Sequence, residues 1–157
     1  MIVVADTSPI NYLVLIEEID VLAKMYGRIV IPPAVRDELL RPSAPATVRA
    51  WMSQSPTWME IRVPANASDA SLAELDPGER DAILLAAELH ADQLIVDDRQ
   101  GRRAAEKRGI PVMGTLGVLR EAATAGLLDL RLAVELLQRT SFYLAPEILA
   151  RLLKDLP

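Results

Sequence analysis

Apolar and polar positions alternate with two rhythms along this chain. Short unbroken apolar runs occur at 2–5 (IVVA), 28–32 (RIVIP) and 93–96 (QLIV). Their β-branched content predicts strands covered on both faces. MEIRV (59–63) alternates apolar and polar residues and predicts an edge strand, and IPVMG (110–114) predicts a further one. Between these runs the helical period takes over. It predicts one helix from Pro9 to a stop at Gly27, a short one over 34–41 with Pro33 in its first turn, and another around 47–53. Asp76-Pro77-Gly78-Glu79 opens a strong helix through DAILLAAELHA, RQGRRAAEKRG is a basic helix ending at Gly109, and the chain from Leu116 onward is helical in pieces. Residues 64–75 read as a loop. Alternating strands and helices predict an α/β fold with a mostly parallel sheet.

Composition narrows the chemistry. At 157 residues the chain is long enough for one domain with a real core, built mainly from Leu, Ile, Val and Ala because only 4% of residues are aromatic. Without cysteine there is no zinc–thiolate site, disulfide or thiol catalysis, and a lone His90 makes neither a His-rich metal site nor a triad. No apolar run is long enough to span a bilayer and no basic leader precedes the first apolar run, so a soluble, cytoplasmic protein without membrane contact is expected. The net charge of −5 argues against a broad nonspecific grip on nucleic acid, but a carboxylate-built metal site would itself make the total more acidic.

The acids fall at telling places. Asp6 ends the first strand and Asp97-Asp98 end a later one, while Glu79 and Asp81 start a helix and Glu38 lies in the helix after the second strand. Open parallel sheets bind ligands outside the carboxyl ends of their strands, near the switch in strand order. Clustered carboxylates repel unless a cation offsets them, and oxygen ligands without His or Cys select Mg²⁺ or Mn²⁺. Each acid also has a purely structural explanation. Asp6 can begin a turn or cap a helix, Glu38 shares its helix with Arg36, Asp37 and Arg41, and Asp76 with Glu79 has capping-box spacing. Asp81 is favoured near a helix N-terminus by the dipole. Glu79 and Asp81 lie about 200° apart on a helix, so they do not both face one metal; the sequence leaves open which one does. Of the adjacent pair Asp97 and Asp98, at most one is a direct ligand and the other starts the next helix.

The order of strand–Asp-Thr-Ser, IPPAVRDELL, LDPGERDAILLAAELHADQLIVDD and DDRQGRRAAEKRGIPVMGTLGVL resembles the PIN domain family, and within it the branch near the VapC-type toxins of toxin–antitoxin pairs. The resemblance is clear over about residues 1–125. It implies a single PIN-like domain over 1–157, a three-layer α/β/α sandwich with C-terminal helices from about 116 packed on it. It also implies an acidic pocket for Mg²⁺ or Mn²⁺, metal-dependent cleavage of RNA phosphodiesters, a homodimer and a cognate antitoxin protein. Carried onto this chain, the catalytic acids are Asp6, Glu38, one of Glu79 and Asp81, and one of Asp97 and Asp98. Asp6 with Asp97 or Asp98 holds the metal, and the hydroxyls of Thr7 and Ser8 bond to a ligand or its water. VDDR departs from the family's more usual threonine-x-aspartate.

Beside such a cluster, the cations of the basic helix gain a role in holding an RNA backbone, with Arg99, Arg102 and Arg103 as the RNA-contact residues. Trp51 and Trp58 read as hydrophobic filling. Two other functions compete with a ribonuclease toxin: a catalytically weak PIN-like module that regulates by binding RNA or protein, and a structured-DNA nuclease. The modest length and the lack of a DNA-clamping insertion disfavour the latter. A response-regulator receiver needs a lysine after the last strand, where this chain has IPVMGT.

Overall fold

A computed structural model describes residues 1–66 and 69–154. Five short strands, β1 (Val3–Ala5), β2 (Ile29–Ile31), β3 (Met59–Ile61), β4 (Gln93–Ile95) and β5 (Val112–Met113), form one sheet in the order β3-β2-β1-β4-β5. Every neighbouring pair is parallel. β1 is central and its three residues have no solvent exposure. β3 lies at one edge with the graded burial that its alternating sequence predicts. The predicted loop over 64–75 holds a single 3-10 turn at Ala70–Leu72, with residues 67 and 68 outside the described set.

The period of two along each strand divides the core into two layers. Val3, Ala5, Ile29, Ile31 and Ile95 point to one face, where α1 (Thr7–Leu15), α2 (Val21–Tyr26), α3 (Pro33–Leu39), α4 (Ala46–Ser53), α7 (Thr115–Thr124) and α8 (Leu130–Gln138) cover them. Val4, Val30, Leu94 and Val96 point to the other, against α5 (Pro77–Glu88) and α6 (Arg99–Lys107). The result is a three-layer α/β/α arrangement. α9 (Pro146–Lys154) follows, burying Leu152. Among the described residues no helix is long and apolar enough to cross a membrane.

The single helix expected from Pro9 to Gly27 is instead two. α1 ends in a Schellman motif: Glu17 has φ +61°, its N–H donates to the Val14 carbonyl, and the Glu18 N–H donates to the Leu13 carbonyl at 2.8 Å. A glutamate in the left-handed region costs about 1 kcal/mol, and the turn it makes lets Ile16 and Ile19 enter the core. His90 closes α5 in the same way at φ +50°, with Ala91 N–H on the Ala86 carbonyl.

Strand order runs outward in one direction from β1 to β2 and β3, and in the other from β4 to β5. The switch point is therefore the β1–β4 seam, which extends past the strands because the Asp6 N–H donates to the Ile95 carbonyl at 2.9 Å. Asp6 and Asp97 emerge on the same edge of the sheet, on either side of that seam.

Candidate functional site

Asp6 stands at the N-cap position of α1 in extended conformation, yet its side chain makes no capping bond. It is 4% exposed, and its Oδ1 is buried without a hydrogen-bond partner. The cap explanation offered by the sequence thus fails to account for this carboxylate. Burial pushes its pKa up to about 7; the Thr7 backbone N–H opposes the rise, and the negative charges of Glu38, Asp97 and Asp76 add to it.

The two residues after Asp6 tie it to acids from distant elements. Thr7 Oγ1 donates to Glu38 Oε1 at 2.9 Å, so the first turn of α1 holds a side chain from α3. The Gly78 N–H in the first turn of α5 donates to Glu38 Oε2, also at 2.9 Å. An added Cβ at Gly78 would lie inside contact distance of both Glu38 carboxylate oxygens, so this position accepts only glycine while Glu38 keeps its place. Gly78→Ala is expected to evict the Glu38 carboxylate without unfolding the chain, because the three nearest atoms all belong to a flexible side-chain end. The cost should be about 1–2 kcal/mol in denaturant unfolding, and close to zero in a Glu38→Ala background. Equal costs in both backgrounds would contradict the contact.

On the other side of the seam, Ser8 Oγ donates to Asp97 Oδ2 at 3.1 Å. Asp97 also accepts from the Thr115 N–H (2.7 Å, Oδ1) and the Thr115 hydroxyl (2.7 Å, Oδ2), which pins the start of α7 to the end of β4. Asp98 is the exposed N-cap of α6, accepting from the Gly101 N–H at 3.2 Å. The adjacent pair therefore divides, one acid turned toward Ser8 and the other capping a helix.

Glu79 and Asp81 also part company. Glu79, half-buried, lines a cavity of about 270 Å³ with Asp6, Glu38, Asp76, Thr7 and Asn11. Desolvation pushes its pKa up to about 8, with further increments from Asp6, Asp98, Asp76 and Glu38. Asp81 is not among the lining residues and pairs with Arg80 at 2.9 Å. The capping box expected from Asp76 and Glu79 is missing its Asp76 bond: Asp76 sits at the α5 N-cap without a side-chain capping bond and borders the cavity.

On α6, Arg99, Arg102 and Arg103 occupy positions three and four apart and line a neighbouring hollow of about 550 Å³ with Asp97 and Glu106. None of the three forms an ion pair among the described residues, whereas Arg108 is engaged with Asp69 at 2.8 Å. Trp51 and Trp58 pack on each other and against the core, as their hydrophobic reading expects.

Sequence reasoning passed over Thr115, Asp76 and Asn11. Thr115 is wholly buried and follows the last strand at the same sheet edge, so the strand-end rule applied to β5 would have found it. Asn11 lies one turn beyond Ser8 on α1, a spacing that the helical period exposes.

The donor set suits a hard divalent cation: carboxylate and hydroxyl oxygens only, a buried carboxylate oxygen with no partner among the described residues, and two acids whose ionisation is opposed by burial and by neighbouring carboxylates. Among the described residues, no group of three acids already stands at metal-binding spacing. Glu38 and Asp97 have both oxygens hydrogen-bonded, so the free oxygen of Asp6 is the feature most in need of a partner.

Comparison with known proteins agrees with this architecture. A family model described as DUF3368, PIN domain, matches residues 2–156. No curated protein matches the chain. Among solved structures, a PilT N-terminus domain protein from the hyperthermophilic archaeon Sulfolobus solfataricus P2 superposes with a TM-score of 0.57 at 20% identity, covering 78% of this chain and 93% of that one. At that identity the likeness speaks for the fold alone. The chain belongs to the PIN domain family, whose members are commonly nucleases that use divalent metals.

Proposed function

We propose that the protein is a Mg²⁺- or Mn²⁺-dependent endoribonuclease and the toxin of a toxin–antitoxin pair, working as a cytoplasmic homodimer with a cognate antitoxin. The observation that carries the nuclease reading is the buried, partnerless Oδ1 of Asp6 at the switch point of the sheet, on a residue that lines a cavity together with Glu38 and Glu79. The toxin role rests on the resemblance of the Asp-Thr-Ser, VRDEL and GERDAI segments to VapC-type proteins.

A bound divalent cation would offset the clustered negative charge, activate a water and stabilise charge on the leaving oxygen. The chain's own residues do the rest. Asp6 presents an oxygen, Oδ1, without a hydrogen-bond partner among the described residues, and Glu79 lines the same cavity. Thr7 and Gly78 hold Glu38 in orientation, and Ser8 and Thr115 hold Asp97. Asp98 caps α6 and so orients the helix whose Arg99, Arg102 and Arg103 neutralise the RNA backbone.

Purified protein is expected to cleave single-stranded RNA with Mg²⁺ or Mn²⁺ and to stop when chelator is added. Asp6→Asn should lower the rate by at least about 100-fold, since even indirect partners of a metal cost 10–100-fold when removed. Equal cleavage by the variant and the wild type would remove the reading. For the toxin role, expression alone should arrest growth, and co-expression of a small neighbouring reading frame should relieve the arrest.

A second reading, a catalytically weak module that regulates by binding RNA or protein, draws on the lack of a ready three-acid group among the described residues. It predicts ordinary RNA affinity with no metal-dependent cleavage on any substrate.

A further inference from the structure

The chain has few aromatic residues: two tryptophans, three tyrosines and one phenylalanine. Tyr12, Tyr26, Trp51, Trp58 and Phe142 all pack against the hydrophobic core. Tyr143 does not. It is 81% exposed, although a tyrosine ring in water forgoes the burial that drives the others inward.

Its exposure comes with a fixed position. Phe142 meets Tyr12 edge-on, ring centroids 5.0 Å apart at 85°, and the Tyr12 hydroxyl lies 2.9 Å from Ser141 Oγ. The Phe142 N–H donates to Thr140 Oγ1 at 3.2 Å. The segment joining α8 to α9 is thereby fastened to α1, the helix that starts beside Asp6, and Tyr143 is the next residue outward.

Tyr143 borders two hollows that meet the acidic edge. One, of about 580 Å³, is lined by Ser8, Tyr12, Asp97 and Arg102 together with Phe142 and Tyr143. The second, of about 550 Å³, is lined by Tyr143 and the 46%-exposed Ile148 together with Arg99, Arg102 and Arg103. Asp98 borders the first and Glu106 the second, yet the three arginines remain free of ion pairs among the described residues. Both volumes fall within the range of small-ligand sites. Ser8 and Tyr12 also line the acidic cavity, so the larger hollow adjoins it.

We infer that Tyr143 is a base-stacking platform for an unpaired nucleotide of single-stranded RNA next to the acidic cavity, with Arg99 and Arg102 taking the adjoining phosphates. The inference rests on the ribonuclease reading. An exposed aromatic ring bordering the same hollow as guanidinium groups free of ion pairs among the described residues fits a ligand with a flat π-surface and a negative backbone, and base–aromatic stacking tolerates any base. Duplex RNA hides its base faces, so the subsite selects single strands.

The test uses a short single-stranded RNA carrying a fluorescent aminopurine, with chelator present and Asp6→Asn as the parent to prevent cleavage. The parent should quench the fluorophore at one position along the strand. Adding Tyr143→Ala should abolish that quenching and weaken binding about tenfold, whereas Tyr143→Phe should match the parent. The alanine effect should vanish when the quenched nucleotide is made abasic. If the parent binds RNA in an Arg102-dependent way but Tyr143→Ala binds and quenches equally, the stacking subsite is wrong and the ribonuclease reading survives. If the parent binds no RNA at all, both fall. If Tyr143→Ala instead loses self-association with RNA binding intact, the surface belongs to a second copy of the chain.

Discussion

Asp6→Asn is expected to make the metal-free protein more stable at pH 8. Asp6 ionises against burial and neighbouring charges, so its pKa of about 7 lies above the ordinary 3.8. Between those values the folded state holds a proton that the unfolded state has released, so stability falls as pH rises through the window. The contribution is complete below pH 3.8 and lost once pH passes about 7. Glu79 acts in the same direction over a window from 4.5 to about 8, more weakly because it is half-exposed and screened. Replacing the Asp6 carboxylate by a neutral amide removes the penalty, a gain of roughly 2 kcal/mol at pH 8 after allowance for imperfect amide contacts. For a chain of this size that is a rise of roughly 4–8 °C in Tm, read by calorimetry in chelator. At pH 4 the variant and wild type should melt together. A variant less stable than wild type at pH 8 would mean that the carboxylate is a structural cap after all.

Asp97→Ala should have the opposite sign. Unlike Asp6, Asp97 has both oxygens occupied, and its partners are the backbone N–H and hydroxyl of a wholly buried Thr115 together with the Ser8 hydroxyl. Truncation leaves two buried donors without acceptors and releases the start of α7 from the end of β4. Hydrogen bonds to charged groups contribute about 1.5–3 kcal/mol each, and the net loss should be roughly 3 kcal/mol, or about 6–12 °C in Tm. Thr115→Val in the Asp97→Ala background should recover part of the loss by removing the stranded hydroxyl. No recovery would show that the α7 attachment lies elsewhere. The two acids at one sheet edge are thus distinguished by stability before any activity is measured: one buried with an oxygen left unpartnered among the described residues, the other with both oxygens hydrogen-bonded.

This contrast also marks how far the sequence alone could go. The strands were legible because β-branched apolar runs have few other uses, and from strand ends alone Asp6 and the Asp97-Asp98 pair could be assigned to one edge, without telling the two adjacent acids apart. The break between α1 and α2 was not legible, because the left-handed turn falls on Glu17 rather than on a glycine or asparagine. Which of Glu79 and Asp81 borders the acidic cavity depended on which way α5 turns as it packs on the sheet, which a local pattern does not encode; Glu79 lines the cavity while Asp81 pairs with Arg80. Gly78 read as a helix opener, and its role as the seat of Glu38 emerges only when residues forty apart come into contact. Tyr143 carried no sequence signal of its own, since an aromatic in a loop beside Phe142 is ordinary until its spatial neighbours are known.

The most direct test of the acidic pocket is Mn²⁺ binding, followed by calorimetry and located by anomalous diffraction from a soaked crystal. The pocket predicts one strong peak bonded to Asp6 Oδ1, saturating binding at pH 8 that vanishes in Asp6→Asn, and a Tm rise of about 2.7 kcal/mol equivalent at a hundredfold excess over Kd. Mn²⁺ bound elsewhere, or an Asp6 carboxylate left without a partner at saturating metal, would contradict it.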